Sequence, residues 1–354
     1  MSAFPPPIRI ETQGVTLSVH DSGGDGPMLL LCHGWPELAY SWSPMWDALT
    51  EAGYRLIAPD QRGFGGSDCP PQVEAYRIDA LVGDLTGLLD HFDIETAYWV
   101  GHDWGGLVVW HAARLAAERI QGVIALNTPH FPRPPVRPTE ALKARYGSDH
   151  YIVRFQEEGL CEALFEAHID AFFGFLMQQL PGDLLDRLNL KDPPPELFDL
   201  PARFRERVEP WGLVRQAAMA LSGRMSPQLK AALPRGPIGL PRPPRGGVPI
   251  MSAADRAVYV NAFRKTGFRP GLNWYRNFDA NWELMADFGD RIPQPALMIA
   301  AEHDVFLPPH LTDAMVDLIP DLTRHFLPGV GHWTSWEAPD AAAKLMIDWL
   351  SGRG

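Results

Sequence analysis

Val100-Gly101-His102-Asp103-Trp104-Gly105-Gly106 is the stretch from which the fold can be read. It follows a short apolar run at 97–100 and opens onto residues with helical spacing at 107–117. Small residues two before and two after Asp103 permit a tight, strained strand-to-helix turn. Such an elbow lifts its central side chain above a sheet and aims the next backbone N–H, that of Trp104, at the same spot. An aspartate here also suits a helix cap. Glycines at 101, 105 and 106 favour the reading of Asp103 as a displayed nucleophile.

Outward from this turn, short β-type runs alternate with helical ones. Residues 8–12 and 15–21 alternate like hairpin strands with Gly14 at the turn. Met28–Cys32, 54–58 and Ile120–Leu126 are buried-strand candidates, and Ile78–His91 has helical spacing. The rhythm resumes near the end with strands at Ala296–Ala301 and Leu322–Leu327 and helices at 308–318 and 339–350. Parallel strands need long return connections, so this pattern specifies a parallel sheet with crossover helices. Between the two halves, residues 131–290 read as helical, for example at 160–175 and 273–288, with no clear strand signal. They open on the proline-rich FPRPPVRP and contain a proline, glycine and arginine tract at 234–249, read as a surface loop. The expected division is an α/β core of 1–130 and 291–354 with an α-helical lid of 131–290.

Two further segments fall at carboxyl ends of strands, where open α/β sheets hold their ligands. Gly329-Val330-Gly331-His332-Trp333 offers a histidine on a glycine-flanked loop, suited to a general base. Ala301-Glu302-His303-Asp304 offers a carboxylate to accept the imidazole N–H. Asp304 is favoured because it lies further past the strand end, but spacing leaves Glu302 open. Nucleophile, acid and base then follow the chain order of an α/β-hydrolase triad. Cys32-His33-Gly34-Trp35-Pro36-Glu37 follows another strand, and its Trp35 N–H, with that of Trp104, is a candidate oxyanion hole. Trp35–Pro36 is a candidate cis bond. His33 and Glu37 read as structural hydrogen-bonding residues, and the uncharged Asn127 cannot serve as the acid.

HGWPE at 33–37, PDQRGFGGSD at 59–68, GHDWGG at 101–106, DHYIVRFQEEG at 149–159, GLNWYRN at 271–277, AEHD at 301–304 and GHW at 331–333 together carry a resemblance. The chain resembles the epoxide hydrolases of the α/β-hydrolase superfamily and is similar to the C-terminal domain of mammalian soluble epoxide hydrolase. The resemblance implies an α/β-hydrolase fold, with a mostly parallel eight-stranded sheet, flanking helices and an inserted helical lid. It also implies two lid tyrosines that hold the epoxide oxygen, at Tyr151 and Tyr275. The residues alone show only that Tyr275, Phe278 and Trp282 share one face of a helix.

A carboxylate is ionised near neutral pH and needs no base to attack. Asp103 then forms an alkyl ester while Tyr151 and Tyr275 donate to the ring oxygen. Water activated by His332 and Asp304 hydrolyses the ester, with the oxyanion on Trp35 and Trp104. A vicinal diol results, with no organic cofactor or metal. A haloalkane or haloacid dehalogenase, which expels halide, is the nearest alternative, and a non-catalytic ligand-binding receptor is another. The chain of 354 residues carries a net charge of −12, which disfavours nucleic-acid or anionic-membrane surfaces. Three cysteines suggest no disulfide framework, and no secretory or membrane-spanning stretch is apparent. A cytoplasmic protein acting on a small apolar epoxide and water is expected.

Overall fold

The computed structural model describes residues 4–148, 150–179 and 247–353. Six strands precede the helical middle: β1 (Ile8–Glu11), β2 (Thr16–Asp21), β3 (Met28–Cys32), β4 (Arg55–Asp60), β5 (Ala97–His102) and β6 (Ile120–Leu126). A two-residue pair follows, β7 (Gln178–Gln179) with β8 (Val248–Pro249), and then β9 (Ala296–Ala301) and β10 (Leu322–Leu327). Eight of these form one sheet in the order β1-β2-β4-β3-β5-β6-β9-β10. Only β2 runs against its neighbours.

Every residue of β3, β5 and β9 is buried, the signature of strands covered on both faces. Alternate side chains supply two cores. Leu30, Trp99, Val123 and Met298 face α2 (Ile78–His91) and α3 (Trp104–Leu115), whose Leu85, Val109 and Trp110 meet them. Leu29, Tyr98, Ile124 and Leu297 face the other way, against Met45 and Leu49 of α1 (Ser43–Glu51) and Met346 of the Pro339–Ser351 helix. Among the described residues no helix is long and apolar enough to cross a membrane.

The middle differs from its sequence reading in three ways. The helix expected at 160–175 is two, α6 (Leu160–Glu166) and α7 (Ile169–Leu176), which follow α4 (Pro138–Tyr146) and α5 (Tyr151–Phe155). The helix expected at 273–288 is also split, into Arg269–Arg276 and Phe278–Leu284. Asn277 is the joint: its buried amide donates to the carbonyls of Val73 and Asn273, competing with the helical ladder. β7 and β8 supply strand where none was expected, because two residues are too few to show a period. The tract at 234–249 lies outside the described residues except for its last three. At 308–318 the expected helix is a 3₁₀ turn, Pro309–Thr312, and a short helix, Met315–Leu318.

Candidate active site

The carboxyl ends of β3, β5, β6, β9 and β10 gather the residues that matter. Gly101 pairs with Cys32 on one side and Ala125 on the other, so β5 is central. Asp103 then turns with φ 51° and ψ −118°, conformational strain of a kind held only where surroundings over-determine it. A Cβ on Gly105 would lie 1.9 Å from the Cys32 carbonyl oxygen, and one on Gly34 would lie 2.4 Å from the Asp103 Cβ. Neither site admits a side chain. The Thr128 hydroxyl donates to the Asp103 carbonyl at 2.7 Å and helps hold the bend.

The two carboxylate oxygens of Asp103 face different groups. The Trp35 backbone N–H donates to Oδ1 at 2.7 Å. Oδ2 lies 3.5 Å from His332 Nε2, and the Asp103 side chain is 17% exposed. The Trp104 N–H is the first of α3 and has no intrahelical acceptor. The Trp35–Pro36 bond is cis.

His332 is buried, and its Nδ1–H donates to Asp304 Oδ2 at 2.8 Å. Asp304 Oδ1 accepts the N–H groups of Phe306 and Leu307, and its Oδ2 also accepts the Asn127 amide at 2.8 Å. Burial alone would raise the Asp304 pKa, but His332 and these donors hold it below the usual carboxylate range. Glu302 is turned away, accepting the Gly329 N–H with its side chain 41% exposed. Burial pushes the His332 imidazole down, yet Asp304 and Asp103 push harder, and its pKa stands well above the ordinary 6.5.

The supporting residues were only partly legible. His33 accepts the Gln61 N–H at Nε2 and donates from Nδ1 to Gly34, a neutral tautomer that burial favours. Glu37 accepts the Gly34 N–H and bonds His102 Nδ1 at 2.7 Å. His102 in turn donates from Nε2 to the His332 carbonyl. Glu337 accepts the N–H groups on both sides of His332, from Gly331 at 2.8 Å and Trp333 at 3.0 Å. The sequence reading missed His102 and Glu337. His102 sat inside the elbow motif, and Glu337 lies five residues past His332, the one signal that pointed to it.

Tyr151 on α5 and Tyr275 on the Arg269–Arg276 helix bring their rings to 6.1 Å centroid separation. Burial, followed by the Asp103 charge, drives both phenols well above their ordinary pKa, so both stay protonated. Trp35 packs edge-on against Tyr275 and Phe155, and Trp104 packs against Tyr275 and Phe278. Trp282, expected on the same face, lines one cavity with Tyr275 and Phe278 while it donates to the Pro134 carbonyl and stacks under Arg133. Asp103, His332, Tyr151 and Tyr275 all line one cavity of about 960 Å³. Among the described residues no cluster of three or more His, Cys, Asp or Glu side chains is arranged to hold a metal ion.

Residues 27–221 and 242–339 match the α/β hydrolase fold family. Epoxide hydrolase A of Mycobacterium tuberculosis is 39% identical over 97% of this chain and 96% of its own length. The chain belongs to the epoxide hydrolases of the α/β-hydrolase family. Bifunctional epoxide hydrolase 2 of Sus scrofa is 35% identical over 92% of this chain, which spans 52% of that longer protein. Among solved structures, epoxide hydrolase A from Mycobacterium thermoresistibile superposes with a TM-score of 0.80 at 35% identity, covering 98% of both chains. An epoxide hydrolase from Vigna radiata gives 0.77 at 31% identity, over 98% of this chain and 97% of that one.

Proposed function

We propose that the chain hydrolyses epoxides to vicinal diols through a covalent ester on Asp103, with residues 131–290 acting as a lid over a core of 1–130 and 291–354. One observation carries this reading: Asp103 keeps one oxygen on a backbone N–H and turns the other toward a buried imidazole, in a cavity shared with two protonated phenols.

In the first step Asp103 Oδ2 bonds to a ring carbon as that carbon's bond to the ring oxygen breaks. The freed electron pair stays on the oxygen, which takes a proton from Tyr151 or Tyr275. Two raised phenol pKa values keep both donors ready, and an unmatched alkoxide in an apolar cavity is very costly. Ester formation removes the Asp103 charge. His332 then loses one of the two anions that raised its pKa, so its pKa falls and its extra proton passes through water to the phenolate, leaving Nε2 free to accept.

In the second step His332 Nε2 takes a proton from water, and the hydroxide attacks the ester carbonyl carbon of Asp103. Asp304 holds the tautomer that leaves Nε2 as acceptor. Charge on Oδ1 is met by the Trp35 N–H, already 2.7 Å away, and by that of Trp104. Collapse breaks the bond between the acyl carbon and the alkoxy oxygen, which leaves with the proton from His332 as the diol, and the new Asp103 carboxyl returns its proton to His332.

Single turnover in heavy-oxygen water tests the scheme. The label is expected in the Asp103 carboxylate, and label confined to the diol overturns it. A panel of epoxides and haloalkanes, with diol and halide both measured, separates this activity from dehalogenation, and no halide release is expected.

A further inference from the structure

Tyr151 and Tyr275 must reach one ring oxygen together, yet each stands on a short helix. α5 has 5 residues and the Arg269–Arg276 helix has 8. Both fall short of the roughly 12 residues at which a helix begins to hold its own shape in water. Tertiary contacts therefore set the distance between the two phenols. Those contacts join the carboxyl ends of the two helices, and they run both ways. Gln156, directly after Phe155, donates from Nε2 to the Tyr275 carbonyl at 3.0 Å and to the Ile152 carbonyl at 2.9 Å. Arg276, directly after Tyr275, donates from Nε to the Phe155 carbonyl at 2.9 Å and from Nη2 to the Glu157 carbonyl at 3.4 Å.

A helix leaves its last carbonyls without intrahelical donors and carries partial negative charge at that end. Two such ends brought together concentrate unmet acceptors. The Gln156 amide and the Arg276 guanidinium supply donors across the junction, and Arg276 adds the cation that both ends favour. The guanidinium is itself held firmly. Its side chain is 4% exposed, Nη1 donates to Asn273 Oδ1 at 2.9 Å, and the Glu162 carboxylate of α6 lies 2.6 Å from Nη2. Neither Gln156 nor Arg276 is among the residues that line the cavity, so neither meets the substrate there.

We propose that Gln156 and Arg276 are positioning residues for ring opening, whose crossed bonds fix the separation of the Tyr151 and Tyr275 hydroxyls so that both meet one oxygen. Two hydroxyls that share an acceptor at about 2.7 Å each stand roughly 4–5 Å apart, and a shift of about 1 Å takes one of them out of reach. This role rests on the part in ring opening proposed for the two phenols. It adds the device that keeps them paired.

Single-turnover stopped flow with styrene oxide separates ring opening from ester hydrolysis, read by the fluorescence of the tryptophans in the cavity wall, among them Trp35 and Trp104. Gln156→Met keeps the length of the side chain and removes the donor. It is expected to slow ring opening about tenfold, while ester hydrolysis, carried by Asp103, His332 and Asp304, changes less than about twofold. In a Tyr275→Phe background there is no separation left to hold, so Gln156→Met is expected to slow ring opening further by less than about twofold. Arg276→Lys keeps the charge opposite Glu162, loses the planar fork and is expected to show the same split between the two steps. A merely structural role would lower the urea midpoint, slow both steps together and add in full to Tyr275→Phe, and that result overturns the proposal. Unchanged ring opening in Gln156→Met, beside slow ring opening in Tyr275→Phe, overturns the positioning role alone. Unchanged ring opening in both Tyr151→Phe and Tyr275→Phe overturns the phenol reading and the positioning role with it.

Discussion

Residue by residue, the site turns on the charge shared between Asp103, His332 and Asp304. His332 has a raised pKa, so its stabilising interaction with Asp103 is present while the imidazole is protonated and is lost as pH rises through that raised value. Asp103→Asn is therefore expected to lower the His332 pKa in an NMR titration. Its penalty on folding stability should be fully present below the ordinary imidazole value of 6.5 and fade as pH rises through the raised value. A His332 pKa unchanged by that substitution would contradict the proposed charge switch. His332→Gln is expected to stop turnover after ring opening, so intact-protein mass spectrometry should find the mass of substrate added to the enzyme. Tyr151→Phe or Tyr275→Phe is expected to slow ring opening by about 100-fold, the usual loss for one transition-state donor, with ester hydrolysis less affected in stopped-flow traces. Asp304 was favoured over Glu302 by one argument about position. Three dimensions add the reason: four donors converge on Asp304, while Glu302 points outward.

Elements decide whether those residues meet at all. The elbow depends on β3 and α3 touching at Gly105, so Gly105→Ala is expected to cost about 3 kcal/mol in urea denaturation, because the clash is with backbone. The buried pair of Arg62 and Asp84 ties the loop after β4 to α2, with side chains 7% and 3% exposed. Asp84→Ala strands a buried cation and is expected to cost about 3–5 kcal/mol by the same measurement. The strand rhythm was legible because parallel strands buried on both faces must be apolar throughout. Helix breaks at Asn277 and between α6 and α7 were not, since apolar spacing runs unbroken across both joints.

For the whole molecule, polar contacts tie the helical middle to the rest of the chain, among them Tyr40 with Asp255, Ile78 with Asn281 and Trp274 with Arg62. Tyr259, on the Ala253–Thr266 helix, is fully buried, bonds the Ser41 hydroxyl at 2.8 Å and accepts the Trp336 indole N–H at 3.1 Å. Tyr259→Phe leaves those partners unmatched and is expected to cost about 1–3 kcal/mol, read from the urea midpoint. Trp333, one residue beyond His332, donates to the Leu176 carbonyl. Tyr151 and Tyr275 from the middle thereby share one cavity with Asp103 and His332, although Tyr151 and His332 lie far apart in sequence.

The amino-acid order by itself determined the α/β rhythm, the elbow and the chain order of the proposed nucleophile, acid and base. These are local: a glycine pattern, an apolar run and a loop residue each report on their own neighbourhood. Which carboxylate faces the imidazole, and how Glu37, His102 and Glu337 brace it, were decided only by tertiary packing. Those facts depend on side chains from distant strands converging at one sheet edge, and no spacing along the chain encodes that distance.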